Sequence, residues 1–459
     1  MLRCFDSSGT HLLHLLPLLV LLWPASAAPT PHVALSAPAG ASVRPAARKA
    51  PVATLGADPS SDRVELVGGT THGGRVLYED DEVVILKQDE HVRTFVRDKV
   101  RRVDTRETRL GEVLDRMASL EDHEFPELIE LGHRAHELGL PGEGELVFLR
   151  ILLTDPFNEE ARHALGHKRV GKAWRVPYKD DWLPLSKVRK LREEWNDGWV
   201  FETAHYVLHT NTDLETAVNT ALDLEIAYRA FYEVLGRPLG LHQVEGKLAA
   251  HVHADVESLP LLKEGVSGIF DAASNTLIVD ASWKMDRGLL IHEATHQLIH
   301  NTHEGMRKGA YEVPLWLNEG LAEFMQVGLA VKPRTYRFDW GEYSERHVRA
   351  QLVARKLPTL EELLNFRTAD FVSNRKRLSY ALAYNLVDFC MNADSGLRQD
   401  ELMNYLAESY KTKVESEDFL TMVAKDPEGF RTEWAVYIEE FMQPLNIEKR
   451  RLRGRGRGR

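Results

Sequence analysis

The chain has 459 residues, of which 43% are hydrophobic and 28% charged, an ordinary globular composition with length for two or three domains. Its formal net charge of −11 argues against nucleic acid as a specific partner. Of its two cysteines, Cys4 falls in the first segment read below, so no disulfide within the mature chain is expected.

The N-terminus reads as an export signal. Arg3 gives a weak basic start, residues 12–23 are an apolar run interrupted by His14 and Pro17, and Ala25-Ser26-Ala27 fits a small-x-small cleavage site. Cleavage is expected after Ala27. The apolar run is short for a bilayer span and no other stretch approaches that length. A secreted or periplasmic, cell-envelope protein without a transmembrane span after cleavage is therefore expected. Residues 28–60 are rich in Ala, Pro and Ser and read as a disordered linker. Over 61–104, short β-type runs alternate with Gly68-Gly69, Gly73-Gly74 and Asp80-Asp81. This predicts a small curled sheet of SH3-like type, a module for a protein partner or a spacer. Residues 105–198 are expected to be helical. Leu110, Val113, Leu114, Met117 and Leu120 keep the 3.6 period, and 128–138 and 143–153 form a pair around Gly139-Leu140-Pro141-Gly142. That pair and the helix after it resemble one and a half tetratricopeptide units. Trp174, Trp182 and Trp195 are expected to pack this module against the next.

Residues 199–446 read as one α+β domain. Strands are expected at 205–210 and 247–253, with an amphipathic helix over 213–235 between them, stopped by Gly236-Arg237-Pro238. His251 and His253 share a strand face and are expected to be structural. Residues 268–270 and 276–279 form a hairpin, and Gly268, Ile269 and Phe270 are assigned to the edge strand on which an extended peptide would pair. Asp286 is the expected N-cap of the helix that follows.

That helix carries His292-Glu293-Ala294-Thr295-His296, an H-e-x-x-H pattern. Residues four apart stack on one helix face, so both imidazoles can hold one metal ion, while Glu293, roughly 100° around, lies beside it as a base. Catalytic zinc usually takes three protein ligands, and Glu319 is the candidate third. Pro314 can open a second helix with Leu317, Leu321 and Phe324 as its apolar stripe. If the two helices are antiparallel, Glu319 faces the imidazoles. Glu323, one turn on, can accept a hydrogen bond from the far nitrogen of His292. The bland reading is a solvated helix face with charges at helical spacing. The apolar setting of Leu289, Leu290, Ile291, Leu298 and Ile299 speaks against it. The variant that needs Gly at 299 and His at 302 is excluded by Ile299 and Thr302. His300 and His303 are expected to be polar loop residues.

H-E-A-T-H followed by W-L-N-E-G-L-A-E-F resembles the gluzincin metallopeptidases, the group of thermolysin and the zinc aminopeptidases. The resemblance implies zinc as cofactor, His292, His296 and Glu319 as ligands, Glu293 as general base and Glu323 as their support. It also nominates Tyr380 as the hydroxyl donor to the oxyanion, with Tyr384 one turn later as the alternative. Core tyrosines are the competing reading for both. The wider layout resembles uncharacterised secreted bacterial proteins with a peptidase-like C-terminal domain. Further helices are expected at 343–352, 360–364, 380–391 and 401–410, with Cys390 as a buried hydrophobe. The Arg/Gly tail, 447–459, is expected to be disordered. The expectation is a secreted zinc peptidase acting on a peptide or protein. Endopeptidase action is favoured over aminopeptidase action, because 265–270 offers no acidic anchor and Asp271 is the nearest one. The alternative is a non-catalytic envelope scaffold with a vestigial or structural zinc site.

Overall fold

The structure, a computed structural model, describes residues 61–259, 266–329, 357–373 and 376–440. The expected export signal, the linker, the 343–352 helix and the Arg/Gly tail lie outside these residues.

Five strands open the described chain: β1 (Asp62–Leu66), β2 (Thr71–Glu79), β3 (Val83–Gln88), β4 (His91–Val96) and β5 (Val100–Asp104). Their order is β4-β3-β2-β1-β5, so β1 pairs with both its successor and the last strand, which curls the meander as expected. Val64, Val76, Val84, Leu86 and Val100 fill its small core. The Asp62 carboxylate accepts from the Val76 and Arg106 amides at 2.8 and 2.7 Å, which ties this sheet to the next helix.

Four helices follow: α1 (Arg106–Ser119), α2 (Phe125–Glu137), α3 (Pro141–Thr154) and α4 (Glu159–Ala164). Thr105 caps α1 by accepting from the Thr108 amide. The helical expectation fails after α4. Residues 168–183 form a three-stranded antiparallel sheet, β6 (Lys168–Val170), β7 (Ala173–Tyr178) and β8 (Asp181–Leu183). Its turns use positive φ at Gly171 and Lys179, and only afterwards does α5 (Leu185–Leu191) form. The tryptophans divide accordingly. Trp174 packs on His163 and Arg162, and Trp182 lies under Lys168, both within their own module. Trp195 alone of the three reaches the next sheet.

That sheet has the order β12-β13-β11-β10-β9, built from β9 (Trp199–Glu202), β10 (Tyr206–Thr210), β11 (Leu248–His253), β12 (Gly268–Asp271) and β13 (Thr276–Asp280). β10, β11 and β13 run parallel, and both edge strands are antiparallel to their neighbours. The long helix α6 (Leu214–Phe231) starts at its Asp213 cap and is buried on nearly every side rather than amphipathic. It lies between the sheet, α3 and the helix after β13, so an apolar surface all round is what its position demands. One apolar core runs from Leu110 to Ile438. The boundary expected at 198/199 therefore does not divide the interior.

β13 feeds α7 (Arg287–Thr302), capped as expected by Asp286, whose carboxylate accepts from the Gly288 amide at 2.9 Å. Gln297 on α7 donates to the carbonyls of Ala249 and Asn275, both at 3.0 Å, fixing the helix to the sheet. After α8 (Glu304–Lys308) comes α9 (Leu315–Leu329). Arg287 at the start of α7 bonds the Leu329 carbonyl at the end of α9, so the two helices are antiparallel. On its other side α9 packs the Lys376–Asn392 helix. A Cβ on Gly320 would sit 2.7 Å from the Ala383 carbonyl oxygen, so this crossing requires glycine. Cys390 is wholly buried there, as expected. No helix among the described residues is long and apolar enough to cross a membrane.

Candidate metal centre

The α7–α9 pairing brings His292, His296 and Glu319 together, and these three form the one group among the described residues that can hold a metal ion. The Nε2 atoms of the two histidines are 3.1 Å apart, and each lies 3.4 Å from Glu319 Oε2. Ligand atoms about 2.0–2.1 Å from one tetrahedral ion would be separated by roughly 3.3–3.4 Å. The triangle thus has the edges of one face of a metal tetrahedron. Glu319 Oε2 is buried and makes no hydrogen bond in the protein, which is the state expected of an oxygen aimed at a cation. Two imidazoles and a carboxylate suit zinc and its first-row neighbours, so the donor chemistry and the geometry agree.

Both rings turn Nε2 inward and Nδ1 outward. His296 Nδ1 is 3.1 Å from Asn318 Oδ1. His292 Nδ1 is buried and lies 3.6 Å from Glu323 Oε1, so Glu323 stands beside the expected ring but beyond hydrogen-bond reach, and the hydrogen bond expected from sequence is not formed. The Asn318 oxygen at His296 Nδ1 favours the tautomer with its proton there and leaves that ring's Nε2 lone pair for a cation. Asn318 was not singled out in the sequence; its only signal is that it immediately precedes Glu319.

Electrostatics points the same way. Burial opposes a charge on His296, yet Glu319, Asn318 and Glu293 together lift its pKa to about 9. Burial also opposes ionisation of Glu319, but the two imidazoles hold its carboxyl well below the usual range. Glu293 is buried on the same helix and close enough for its charge to act on His296.

The other expected residues separate clearly. The Tyr380 ring is 6.0 Å from that of His292 and rests on Phe371 at 5.0 Å. Tyr384 is 3% exposed and belongs to the core. β12 is the edge strand, as expected, with no sheet partner on its outer side among the described residues. Its side chains do not act as a set. Gly268 sits against Leu289 and Phe270 against His300, both on α7, whereas Ile269 projects from the other face. The strand therefore runs beside the turn of α7 that carries both histidines, and what it offers along its edge is backbone. Asp271 spends its carboxylate on the hairpin turn, accepting from the Ser274 hydroxyl at 2.5 Å. His300 lies on α7 rather than in a loop, and His303 is the single joint residue between α7 and α8 but not a solvent-facing one. It is fully buried; its Nδ1 accepts from the Met306 amide at 3.0 Å, capping α8, and its Nε2 donates to the Ser409 carbonyl at 2.8 Å.

The sequence profile of a family described as "Protein of unknown function (DUF1570)" matches residues 288–415, a span that holds every residue of the triangle and Tyr380. No curated protein matches the chain.

Proposed function

We propose that this chain is a zinc-dependent peptidase that cleaves within polypeptides and works outside the cytoplasm, in the cell envelope or the secreted fraction. The observation that carries the reading is the tetrahedral face formed by His292, His296 and Glu319, with Glu293 buried beside it. A zinc ion held there would supply Lewis acidity toward a scissile carbonyl and bring the pKa of water toward about 7. The Glu293 carboxylate takes a proton from the attacking water and returns it to the leaving amine. The Tyr380 hydroxyl is the donor to the developing oxyanion, since its ring neighbours His292 and that of Tyr384 is buried. The outer edge of β12 pairs with the substrate backbone. Cleavage within a chain is favoured because Asp271, the acid that ends this strand, is already committed to its own turn.

The test is metal analysis joined to proteolysis. Wild type should carry one zinc per chain, and His296→Ala should lose it. Glu293→Gln should keep zinc while hydrolysis of N-blocked peptides falls by about 10²–10⁴. Hydrolysis undiminished in Glu293→Gln would end the mechanism. Bound zinc with no cleavage across a broad peptide library would favour the scaffold alternative.

A further inference from the structure

The outer face of the peptidase-like sheet, turned away from α7, carries a second histidine cluster that the metal site does not use. One cross-strand row runs Ile269, Ile278, His251, His209, Val200 through all five strands. His253 lies two residues from His251 on the same face. Trp195 covers the histidines. Its ring stacks on His253 with centroids 3.7 Å apart and planes 15° apart, lies 4.1 Å from His209, and meets His251 edge-on at 5.4 Å. The imidazoles are 5.8 Å apart for His209 and His251 and 6.3 Å for His251 and His253.

Further contacts hold this cover down. His209 Nε2 donates to the Trp195 carbonyl at 3.0 Å. A Cβ on Gly198 would lie 2.7 Å from the Thr210 carbonyl oxygen and 2.9 Å from His209 Nε2, so the 195–198 segment approaches β10 as closely as only glycine permits. The Ser258 hydroxyl donates to the Asp255 carbonyl, so it accepts from His253 Nδ1 at 2.8 Å and leaves Nε2 as the basic atom of that ring.

We propose that Trp195 and the imidazoles of His209, His251 and His253 form a proton-operated clasp, closed on the sheet while the rings are neutral and released once more than one of them is charged. A single imidazolium against an indole is a favourable cation–π contact. Two imidazoliums at about 6 Å lie well inside the Debye length and repel without screening. Burial depresses the affinity of all three rings for protons, neighbouring imidazoles add to this at His251 and His253, the Trp195 carbonyl works against it at His209, and the His253 pKa falls to about 4. The charged neighbours divide. Arg192, beside the Trp195 segment, opposes protonation of His209, and Asp255 and Asp280 favour it at His253 without reversing the shift. Asp197 is engaged by Lys179 at 2.6 Å, and Glu194 is exposed. In the open state the rings regain ordinary affinity, near 6.5. Opening therefore takes up protons, and the clasp weakens as pH falls below about 6.5, the window in which unperturbed imidazoles titrate. Release would loosen the 195–198 segment on the sheet, while the β6–β8 and α5 module stays joined to β9 through Trp199, which packs into its core.

Hydrogen exchange of the full-length protein, corrected for intrinsic rates, tests this between about pH 7.5 and pH 5. The segment 192–199 should lose protection by up to about one decade per pH unit for each proton taken up on opening, while 276–280 on β13 stays protected. His251→Phe with His253→Phe, which keeps the aromatic packing, should flatten the profile, and His251→Phe alone should reduce its slope. Unchanged protection in wild type, loosening of 276–280 in step with 192–199, or a wild-type profile in either folded variant would overturn the clasp.

Discussion

At His296 the outer nitrogen is held as firmly as the inner one. Asn318 Oδ1 sits 3.1 Å from Nδ1, so Asn318→Ala should lower zinc affinity by about 10–100-fold in a chelator competition without unfolding the chain. Tyr380→Phe removes only the hydroxyl. It should lower kcat by about 10²–10³ with zinc content unchanged, whereas Tyr384→Phe should alter stability and leave kcat near wild type. His292 and His296 were legible because helical spacing is itself geometry, and Glu319 followed from an antiparallel pairing of the two helices and from the resemblance. Asn318 was not, because its use depends on which ring the neighbouring helix presents.

Between elements, the chief polar joint is His205, in the turn before β10. Its Nδ1 lies 2.7 Å from Glu225 Oε2 of α6, its Nε2 3.2 Å from Glu107 Oε1 of α1, and its ring stacks on Tyr228 at 3.6 Å. Burial opposes the charge on His205, but the two carboxylates raise its pKa from 6.5 to about 9. The stabilisation is complete below about 6.5 and is lost as pH rises through about 9. Glu107 is pulled down to about 2 against its own burial, chiefly by His205, so its contribution is present above about 4.5 and lost as pH falls toward 2. Burial, then Glu225, raises Glu143 on α3 to about 7, so its ionisation further penalises the fold as pH climbs above about 4.5. The melting temperature should therefore peak near pH 4.5 and decline toward pH 9, first through Glu143 and above about pH 6.5 through His205 as well, and His205→Gln should flatten the alkaline arm above about pH 6.5. The α9 crossing gives a second prediction: Gly320→Ala should cost about 1–3 kcal/mol in denaturant unfolding, because its Cβ would meet backbone. The sequence showed the metal helices, the hairpin and the curled sheet through strong periodicity and glycine punctuation. It hid β6–β8, whose strands are three to six residues long and mostly exposed, too short for alternation to declare itself. It also misjudged α6, since only tertiary context shows that a helix has packing partners on every side.

Across the whole molecule the fold class read from sequence stands, a mixed α+β chain with a β-rich start and a helical C-terminal part. One apolar core crosses the division that the sequence placed at 198/199. The curled sheet keeps its own core of five side chains, but α1–α4 share one interior with the part that carries the candidate metal site. A fragment of residues 199–446 would bare α6 where α3 covers it and should aggregate or melt without a cooperative transition, as calorimetry against the full chain would register. That shared interior also bears on ancestry. A module joined to its neighbour by a linker can be exchanged by recombination, but helices that fill the same core cannot be replaced without recutting both sides of the seam. Relatives that keep α7 and α9 around the candidate metal site should therefore have inherited the preceding helices with them, as one unit of descent.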